Sequence, residues 1–322
     1  MQKISQGKLN NMKKVAIIYG GTGNEHEVSV SSAKNILENI DREKFDVLEV
    51  FVGKNKNFKI GEEIFDEQNG INEMKNRNIN VVFPIIHGEY GEDGQLQEKL
   101  EEAGIKFVGH SSEVSRLTID KNKTNEILQE NGINIPQSKI INENDLTIPF
   151  SFPIIVKPID EGSSVDLFKF ENDEEYKNYL GKIFENHNEM LAQEFVKGRE
   201  FTCGVIEINN VATPLIASEV ILTKGELFDY EAKYTQSGCI EITPAEVDDD
   251  LMNKIKETAV KCHKILGCRS FSRTDMILKD DKLYVLEINT VPGMTKTSFI
   301  PQQAKVGGYN MKELISLLVD SV

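Results

Sequence analysis

The stretch SRTDMILKDDKLYVLEINTVPG, residues 272–293, decides how the rest of the chain is interpreted. Its two apolar runs are joined by a short polar turn, which predicts an antiparallel β-hairpin. Residues i and i+2 of a strand project to the same face, so Glu287 and Asn289 point the same way. The partner strand can bring Asp275 beside them, and Arg273 shares the face of Asp275. The hairpin thus gathers three oxygen-bearing side chains where packed strands normally carry apolar groups.

A bound metal ion would explain this polar hairpin. Two carboxylates on one face repel each other and are costly to bury unless a hard cation lies between them. Oxygen donors without a nearby histidine or cysteine favour Mg²⁺, which keeps part of its coordination shell for water and substrate phosphates. The alternative is a solvated hairpin face. Arg273 and the turn TVPG at 290–293, whose backbone N–H groups can meet an anion, favour the metal interpretation.

A second anion-binding pattern lies in IVKPIDEGSSV, residues 155–165. Lys157 ends an apolar strand and precedes a Gly-Ser-Ser loop, which can approach a phosphate closely and donate N–H and O–H groups. Lys121, which opens a helix after TID, and Lys233 in YEAKY are further phosphate candidates. Taken alone, the loop also fits an ordinary hairpin turn, and each lysine also fits a surface position.

Two glycine-containing segments near the N-terminus carry further candidate groups. GGTGNEHEVS, residues 20–29, resembles a dinucleotide fingerprint, but it lacks the G-x-G-x-x-G spacing, and Glu25 would repel a pyrophosphate. Glu25 suits an ammonium group instead. IIHGEYGEDG, residues 85–94, ends a strand with His87 at the carboxyl edge, where α/β sheets present their ligands. A purely structural histidine is the alternative at that position.

The hydrophobic pattern changes character along the chain. Apolar strands alternate with helical patterns in the first third, at residues 13–21, 27–40, 45–52, 80–88 and 94–105. This alternation predicts a parallel, Rossmann-like α/β unit. After a helical stretch at 111–133, paired strands dominate from about residue 150, followed by a long helix at 249–266 and the hairpin. The predicted fold class is therefore α/β followed by antiparallel α+β.

The composition excludes several classes of protein. Of the 322 residues, 39% are hydrophobic and 28% charged, as in globular rather than disordered chains. The formal net charge of −15 argues against nucleic-acid binding, which needs a basic face. No apolar run approaches the ~18 residues of a membrane span. Residues 1–11 lack the features of a secretory signal, so we expect a flexible leader or a start at Met12.

The four cysteines, at 203, 239, 262 and 268, show no paired spacing. The stretch CHKILGC is compatible with a zinc site, but it lies on an amphipathic helix that runs into a strand. Buried free thiols of a reducing cytoplasm are the favoured interpretation.

Several motifs occur in the order found in the D-alanine–D-alanine ligases of the ATP-grasp superfamily. They are GGTGNEHEVS, HGEYGEDG, Asp-Lys at 120–121, IVKPIDEGSSV, FDYEAKY at 228–234, SRTD and LEINTVPGMTKTS. The resemblance runs from Met12 to the C-terminus, and HGxxGEDG with EINTxPGMTxxS is its most specific part. It implies a Rossmann-like N-terminal substrate domain over 12–110, followed by a two-part ATP-grasp fold. The central subdomain would span 111–200, and the C-terminal subdomain, with the metal site and a lid loop, 201–322.

The same resemblance implies a reaction and its cofactors. Two D-alanine molecules are ligated at the expense of ATP through an acyl phosphate, for cytoplasmic synthesis of cell-wall precursors by a homodimer. Two Mg²⁺ ions, for which Mn²⁺ can substitute, would be held by Asp275, Glu287 and Asn289. Relatives that join D-alanine to D-serine or D-lactate are the nearest alternatives, and Tyr234 argues against D-lactate. An NAD-linked Rossmann protein would need a glycine fingerprint that this chain lacks.

The resemblance also implies roles for the other site residues. ATP would contact Lys121, Lys157, Ser163, Ser164, Glu194, Val196, Glu200 and Lys233. Glu25 would pair with the ammonium group of the first substrate, with His87 near its carboxylate, and a bridge across the closed site would join Glu25, Ser163 and Tyr234. Arg273 and the N–H of Gly293 would stabilise the oxyanion. The second substrate would meet Lys233, Ser298 and Phe299. Three positions depart from the family pattern: Asp166, often glycine, Gln193, often an acid, and Phe299, often leucine.

Overall fold

The computed structural model describes residues 12–162, 166–223 and 238–322. The leader, Ser163, Ser164, Lys233 and Tyr234 lie outside the described residues, so what the sequence predicts of them is not tested. The described chain contains three β-sheets with flanking helices. The proposed domain boundaries at residues 110 and 200 stay predictions.

The first sheet has the strand order β4-β3-β2-β1-β5-β6. Its strands are β1 Lys13–Gly20, β2 Phe45–Val52, β3 Phe58–Ile60, β4 Glu63–Phe65, β5 Val81–Pro84 and β6 Lys106–Phe107; its helices are α1 His26–Asn39, α2 Glu67–Asn76 and α3 Gln95–Ala103. The pairs β1–β2, β1–β5 and β5–β6 are parallel, which confirms the predicted α/β unit. The antiparallel hairpin β3–β4 at one edge was not predicted, because strands of three residues are too short to show a periodic pattern.

Two helices replace the single helical stretch predicted at 111–133. They are α4 Ser112–Ile119 and α5 Lys121–Glu130. Asp120 separates them, because its backbone is extended, with φ −77° and ψ 97°, and its carboxylate accepts a hydrogen bond from the N–H of Lys123. The aspartate therefore caps α5 and places Lys121 at the first position of that helix.

The second sheet is fully antiparallel and has the order β7-β10-β8-β9. Its strands are β7 Ser138–Asn142, β8 Ile154–Lys157, β9 Phe168–Phe170 and β10 Glu189–Glu194, with helices α6 Asp173–Asn178 and α7 Leu180–Ile183. The side chains of Ile154, Val156, Met190 and Ala192 form its apolar core with Tyr176. This core leaves the ends of β8 and β10 free to border a cavity, described below.

The third sheet has the order β14-β13-β11-β15-β16, with β12 paired to β11. Its strands are β11 Arg199–Ile208, β12 Val211–Pro214, β13 Ser218–Leu222, β14 Cys239–Ile242, β15 Phe271–Lys279 and β16 Lys282–Asn289. The helices are α8 Asp249–Ile265, α9 Phe299–Val306 and α10 Met311–Asp320. The long helix and the hairpin of residues 272–293 are confirmed at nearly the predicted positions.

One apolar core joins the first and third sheets. Ile17 and Phe83 from the first sheet pack in the same cluster as Phe271 and Leu314, and the Phe83 and Phe271 ring centroids lie 6.1 Å apart. This packing sets the carboxyl edge of β5, with His87, against the loop that follows β16.

Three of the cysteines, Cys203, Cys262 and Cys268, are buried free thiols as predicted, whereas Cys239 is half-buried. Among the described residues, no helix has both the length and the apolar character needed to cross a membrane.

Candidate active site

The hairpin β15–β16 places the predicted polar side chains together. Asp275 pairs with Glu287, and Arg273 pairs with Asn289, so all four project from neighbouring positions. Asp280 and Asp281 form the turn with φ values of 48° and 60°, the left-handed conformations that a two-residue hairpin turn of type I′ requires. The register shifts after Asp275, where a β-bulge interrupts the ladder next to the polar cluster.

Asp275 is the centre of a dense hydrogen-bond network. Arg273 donates to both of its oxygens, from Nε to Oδ1 at 2.9 Å and from Nη2 to Oδ2 at 2.8 Å. Thr202 Oγ1 donates to Oδ1 at 2.5 Å, and Asn289 Nδ2 donates to Oδ2 at 3.0 Å. Burial lowers the pKa of Arg273, but the charge and hydrogen bonds of Asp275 outweigh it, so this pKa lies above its ordinary value. The guanidinium group is thus a permanent cation beside the two carboxylates.

The donor set at this cluster fits a hard divalent cation. Arg273 balances one of the two negative charges of Asp275 and Glu287, and because Asn289 Nδ2 donates to Asp275, its Oδ1 is available as an acceptor. Carboxylate and amide oxygens are the ligands that Mg²⁺ prefers. No group of three or more His, Cys, Asp or Glu side chains suited to a metal occurs in the described residues. A metal here would therefore need further oxygens, as from a bound phosphate.

A cavity of about 540 Å³ lies between the second and third sheets and reaches this cluster. Its walls include Lys121, Lys157, Glu161, Gln193, Glu194, Val196, Glu200, Asp275, Ile277 and Glu287. Two of the predicted phosphate lysines, Lys121 and Lys157, therefore border one space with residues 194, 196 and 200 and with two of the predicted metal ligands. Its volume is typical of sites for small molecules and cofactors.

The two lysines are held near a loop that leads to the Gly-Ser-Ser segment. Lys121 Nζ donates to the carbonyl of Glu161 at 2.5 Å, and its backbone N–H donates to Ile159. Lys157 is the last residue of β8, as predicted. Gln193 also borders the cavity; it is 3% exposed, and no hydrogen-bond partner for its Nε2 occurs in the described part of the chain. An unpaired buried amide facing a cavity is a natural contact for a polar ligand edge.

The departure at Asp166 has a structural account. Its φ of +51° is the left-handed conformation, which explains why glycine suits this position, and which aspartate tolerates better than most residues. The carboxylate lies 3.0 Å from Nε2 of His187, which is also 3.9 Å from Glu161. The side chain of Asp166 is therefore engaged by a histidine of the second sheet region.

Glu25 directly precedes α1, and its carboxylate lies close to two glycines, Gly88 and Gly162. A Cβ atom added at Gly88 would lie 3.2 Å from Glu25 Oε2, and one added at Gly162 would lie 2.9 Å from the same oxygen. The carboxylate thus lies between Gly88, in the loop after β5, and Gly162. A side chain added at either point would push the carboxylate of Glu25 from its position.

His87 is buried, and both of its ring nitrogens are engaged. Nδ1 lies 2.7 Å from the carbonyl of Val291, so Nδ1 carries the proton, and Nε2 accepts from Ser32 Oγ at 3.1 Å. Ser32 Oγ in turn accepts from the N–H of Met294 at 3.2 Å. Burial lowers the pKa of His87, although the charge of Glu25 opposes this. His87 therefore holds the loop after β16, and its predicted place near a substrate carboxylate is not tested.

Gly293, Ser298 and Phe299 follow the hairpin closely. A Cβ atom at Gly293 would lie 2.7 Å from Ser298 Oγ, which also lies 2.7 Å from Thr295 Oγ1. Phe299 is buried, and its ring centroid is 5.6 Å from the guanidinium carbon of Arg273. Gly293, predicted for the oxyanion, and Ser298 and Phe299, predicted for the second substrate, therefore lie beside the polar hairpin.

Sequence reasoning missed two residues of this arrangement. Thr202 contacts Asp275 from β11, and Glu92 accepts hydrogen bonds from the backbone of Gly88 and of Val291. Glu92 lies inside the motif HGEYGEDG, but its partner at 291 is distant in sequence and leaves no local signal. The alternation of β11 likewise gives no reason to single out one threonine.

Comparisons with known proteins agree over nearly the whole chain. Family models described as D-ala D-ala ligase N-terminus and C-terminus match residues 14–110 and 123–320. The chain is 36% identical to the D-alanine--D-alanine ligase of Leptospira biflexa, over 95% of this chain and 98% of that protein. The solved VanG D-Ala:D-Ser ligase from Enterococcus faecalis aligns with a TM-score of 0.84 at 28% identity, over 96% and 99% of the two chains. The D-alanine--D-Alanine ligase from Bacillus anthracis complexed with ATP gives 0.79 at 26% identity, over 96% and 97%.

The fold, the polar hairpin and these likenesses converge. The α/β unit and the two following sheets form the architecture of the structural neighbours, which confirms the predicted ATP-grasp fold. The two family models together span most of the chain. This protein belongs to the D-alanine–D-alanine ligase family, whose members are ATP-dependent ligases.

Proposed function

We propose that this protein joins two D-alanine molecules into D-alanyl-D-alanine, with ATP converted to ADP and phosphate. One observation carries the proposal: Asp275 and Glu287 border the same cavity as Lys121 and Lys157, and Arg273 donates two hydrogen bonds to Asp275. The reaction needs this combination, because a carboxylate must be phosphorylated before an amine can attack it.

The cavity suits the first half of the reaction. Lys121 and Lys157 offer positive charge to the phosphates, while residues 194, 196 and 200 border the space left for the nucleoside. Magnesium at Asp275, Glu287 and Asn289 would neutralise phosphate charge during transfer. Glu25 would bind the ammonium group of the first D-alanine and orient its carboxylate toward the nucleotide.

The second half of the reaction takes place beside the hairpin. The amine of the second D-alanine attacks the acyl phosphate, and negative charge develops on the carbonyl oxygen. Arg273 and the N–H of Gly293 would stabilise that charge, and Ser298 and Phe299 would border the second substrate. The roles assigned to Ser163, Ser164, Lys233 and Tyr234, which include the lid, belong to this same proposal.

The decisive experiment measures phosphate release from ATP as a function of added D-alanine. The wild-type protein should release phosphate only with D-alanine, and Glu287→Gln should lose this activity while its thermal unfolding stays cooperative. Asp281→Asn is the matched control, since it makes the same acid-to-amide change at the turn of the same hairpin and should keep full activity. Wild-type phosphate release that ignores D-alanine would overturn the proposal.

A D-alanine–D-serine ligase is the second candidate, because the VanG D-Ala:D-Ser ligase aligns with the TM-score of 0.84. A pocket that must only reject an added hydroxyl discriminates weakly. Mass spectrometry of products formed from equal D-alanine, D-serine and D-lactate separates the candidates. D-Alanyl-D-alanine should dominate. The proposal further includes a cytoplasmic homodimer, and the oligomeric state can be measured by sedimentation.

A further inference from the structure

Glu92 accepts backbone hydrogen bonds from two loops that are far apart in the sequence. Its Oε2 accepts from the N–H of Gly88 at 2.7 Å, and its Oε1 accepts from the N–H of Val291 at 2.8 Å. The two residues of the second bond are 199 positions apart. Both carboxylate oxygens are therefore used, one for each loop.

Each of these loops carries groups assigned to the reaction. Gly88 follows His87 and lies against the carboxylate of Glu25. Val291 lies two residues before Gly293, and its carbonyl is held by His87. Glu92 thus connects the place proposed for the first substrate to the place proposed for the oxyanion.

The same loop is fixed at its other end by side chains of α1. Asn35 Nδ2 donates to the carbonyl of Met294 at 2.8 Å, and Ser32 Oγ accepts from the Met294 N–H. Polar side chains of the first unit therefore satisfy the backbone on both sides of Gly293. Among these contacts, Glu92 is the one that reaches both loops with charge-assisted hydrogen bonds, which are the stronger kind.

We infer that Glu92 is a positioning residue for the ligation reaction, which holds the loop of Gly293 in register with the loop of His87 and Gly88. The inference rests on the proposed function. A carboxylate is required because both partners are donors, and only an ionised acid offers an acceptor on each side. An amide of the same shape would place its own N–H groups against one of the two backbone N–H groups.

The charged groups that face Glu92 are Glu25 and Arg273, which act in opposite directions. Burial raises the pKa of Glu92 to about 7, the charge of Glu25 adds to the rise, and the two N–H bonds and Arg273 oppose it. Protonation would turn one acceptor into a donor, so the two-sided contact should weaken as the pH falls.

The test compares Glu92→Gln with the wild-type enzyme in the D-alanine-dependent phosphate assay. Its kcat should fall by about 10-fold to 100-fold, the effect of one or two lost hydrogen bonds at tenfold per ~1.4 kcal/mol. The KM for ATP should stay within about twofold, because Glu92 does not border the nucleotide cavity. The wild-type kcat should decline as the pH falls through about 7; this decline is the low-pH limb of the profile, and the kcat of Glu92→Gln should not show it. Glu89→Gln is the matched control, since Glu89 is exposed in the same loop.

Two outcomes overturn the inference. One is a Glu92→Gln variant with wild-type kcat and the wild-type pH profile. If this variant fails to fold, Glu92→Asp decides the matter, because it keeps both acceptor oxygens on a chain one methylene shorter. Partial activity of Glu92→Asp with the low-pH limb retained supports the inference. Activity of Glu92→Asp without that limb is the second outcome that overturns it. A wild-type protein without D-alanine-dependent phosphate release would instead remove the proposed function itself.

Discussion

Replacing Gly162 with alanine should move the carboxylate of Glu25 without disturbing a core. The added Cβ would lie 2.9 Å from Glu25 Oε2, whereas ordinary contact begins near 3.4 Å. The oxygen must therefore retreat by about 0.5 Å. The backbone of Gly162 is not in the left-handed region, so alanine fits its conformation.

The expected kinetic effect follows from this displacement. A misplacement of about 1 Å costs about 10²-fold in rate, so half that distance should cost about tenfold in kcat/KM for D-alanine. The free energy of unfolding should not fall, since alanine at a compatible position restricts the unfolded chain and stabilises by about 0.4–1 kcal/mol. Phosphate release at varied D-alanine concentration and urea unfolding measure the two quantities separately.

Two comparisons make the reasoning refutable. Gly181→Ala introduces the same methyl group on α7 with nothing within 4 Å, and its kinetics should match those of the wild type. In a Glu25→Gln background, Gly162→Ala should add almost nothing, because the charge through which it acts is already gone. A full additional tenfold loss in that background would show that the methyl group acts elsewhere in the loop.

Three further predictions address other parts of the structure. The free energy of unfolding of Asp166→Ala, measured with urea, should be roughly 1 kcal/mol lower than that of Asp166→Gly. Both variants lose the contact with His187, but only glycine adopts the positive φ without strain. The free energy of unfolding of the wild type relative to Glu92→Gln should fall by up to about 3 kcal/mol as the pH rises from 5 to 8.5. The pKa of Glu92 is about 7 in the folded state and 4.5 ordinarily, so between these values the folded state binds the proton more tightly than the unfolded state. In calorimetry, chelation of divalent cations should weaken binding of a non-hydrolysable ATP analogue at least tenfold, and Glu287→Gln should reduce this cation dependence.

The hairpin could be predicted because its chemistry is local. Alternation with period two places Glu287 and Asn289 on one face, and Asp280 and Asp281 supply the turn. The pairing of Asp275 with Glu287 also needs the β-bulge after Asp275, because an unbroken ladder from this turn would set Asp275 opposite Leu286. The predicted strands at 13–21 and 45–52 succeeded for a similar reason, since buried parallel strands are continuous apolar runs.

The sequence did not predict features that depend on a single residue or on residues far apart in the chain. The helical pattern at 111–133 continues through Asp120, and only the capping bond to Lys123 shows that the backbone turns there. The contact between Glu92 and Val291 depends on how the first sheet packs against the third, which no spacing of residues encodes. Side chains that hold backbone groups across such an interface can be found only after the packing is known.

The charges around the cavity bear on how an acidic protein can bind an anionic nucleotide. Among the described residues that border it, four are basic and six are acidic. The basic residues are Lys121, Lys157, Lys197 and Arg199; the acidic residues are Glu161, Glu194, Glu200, Glu219, Asp275 and Glu287. Arg199 is itself bound to Glu219 through two hydrogen bonds of 2.8 Å, so it offers less to a ligand. These walls alone would repel a polyphosphate more than they attract it. We propose that divalent cations bound at Asp275 and Glu287 would reverse that balance at the point where the phosphates would lie. The carboxylates of the hairpin would then take part in nucleotide binding as well as in catalysis.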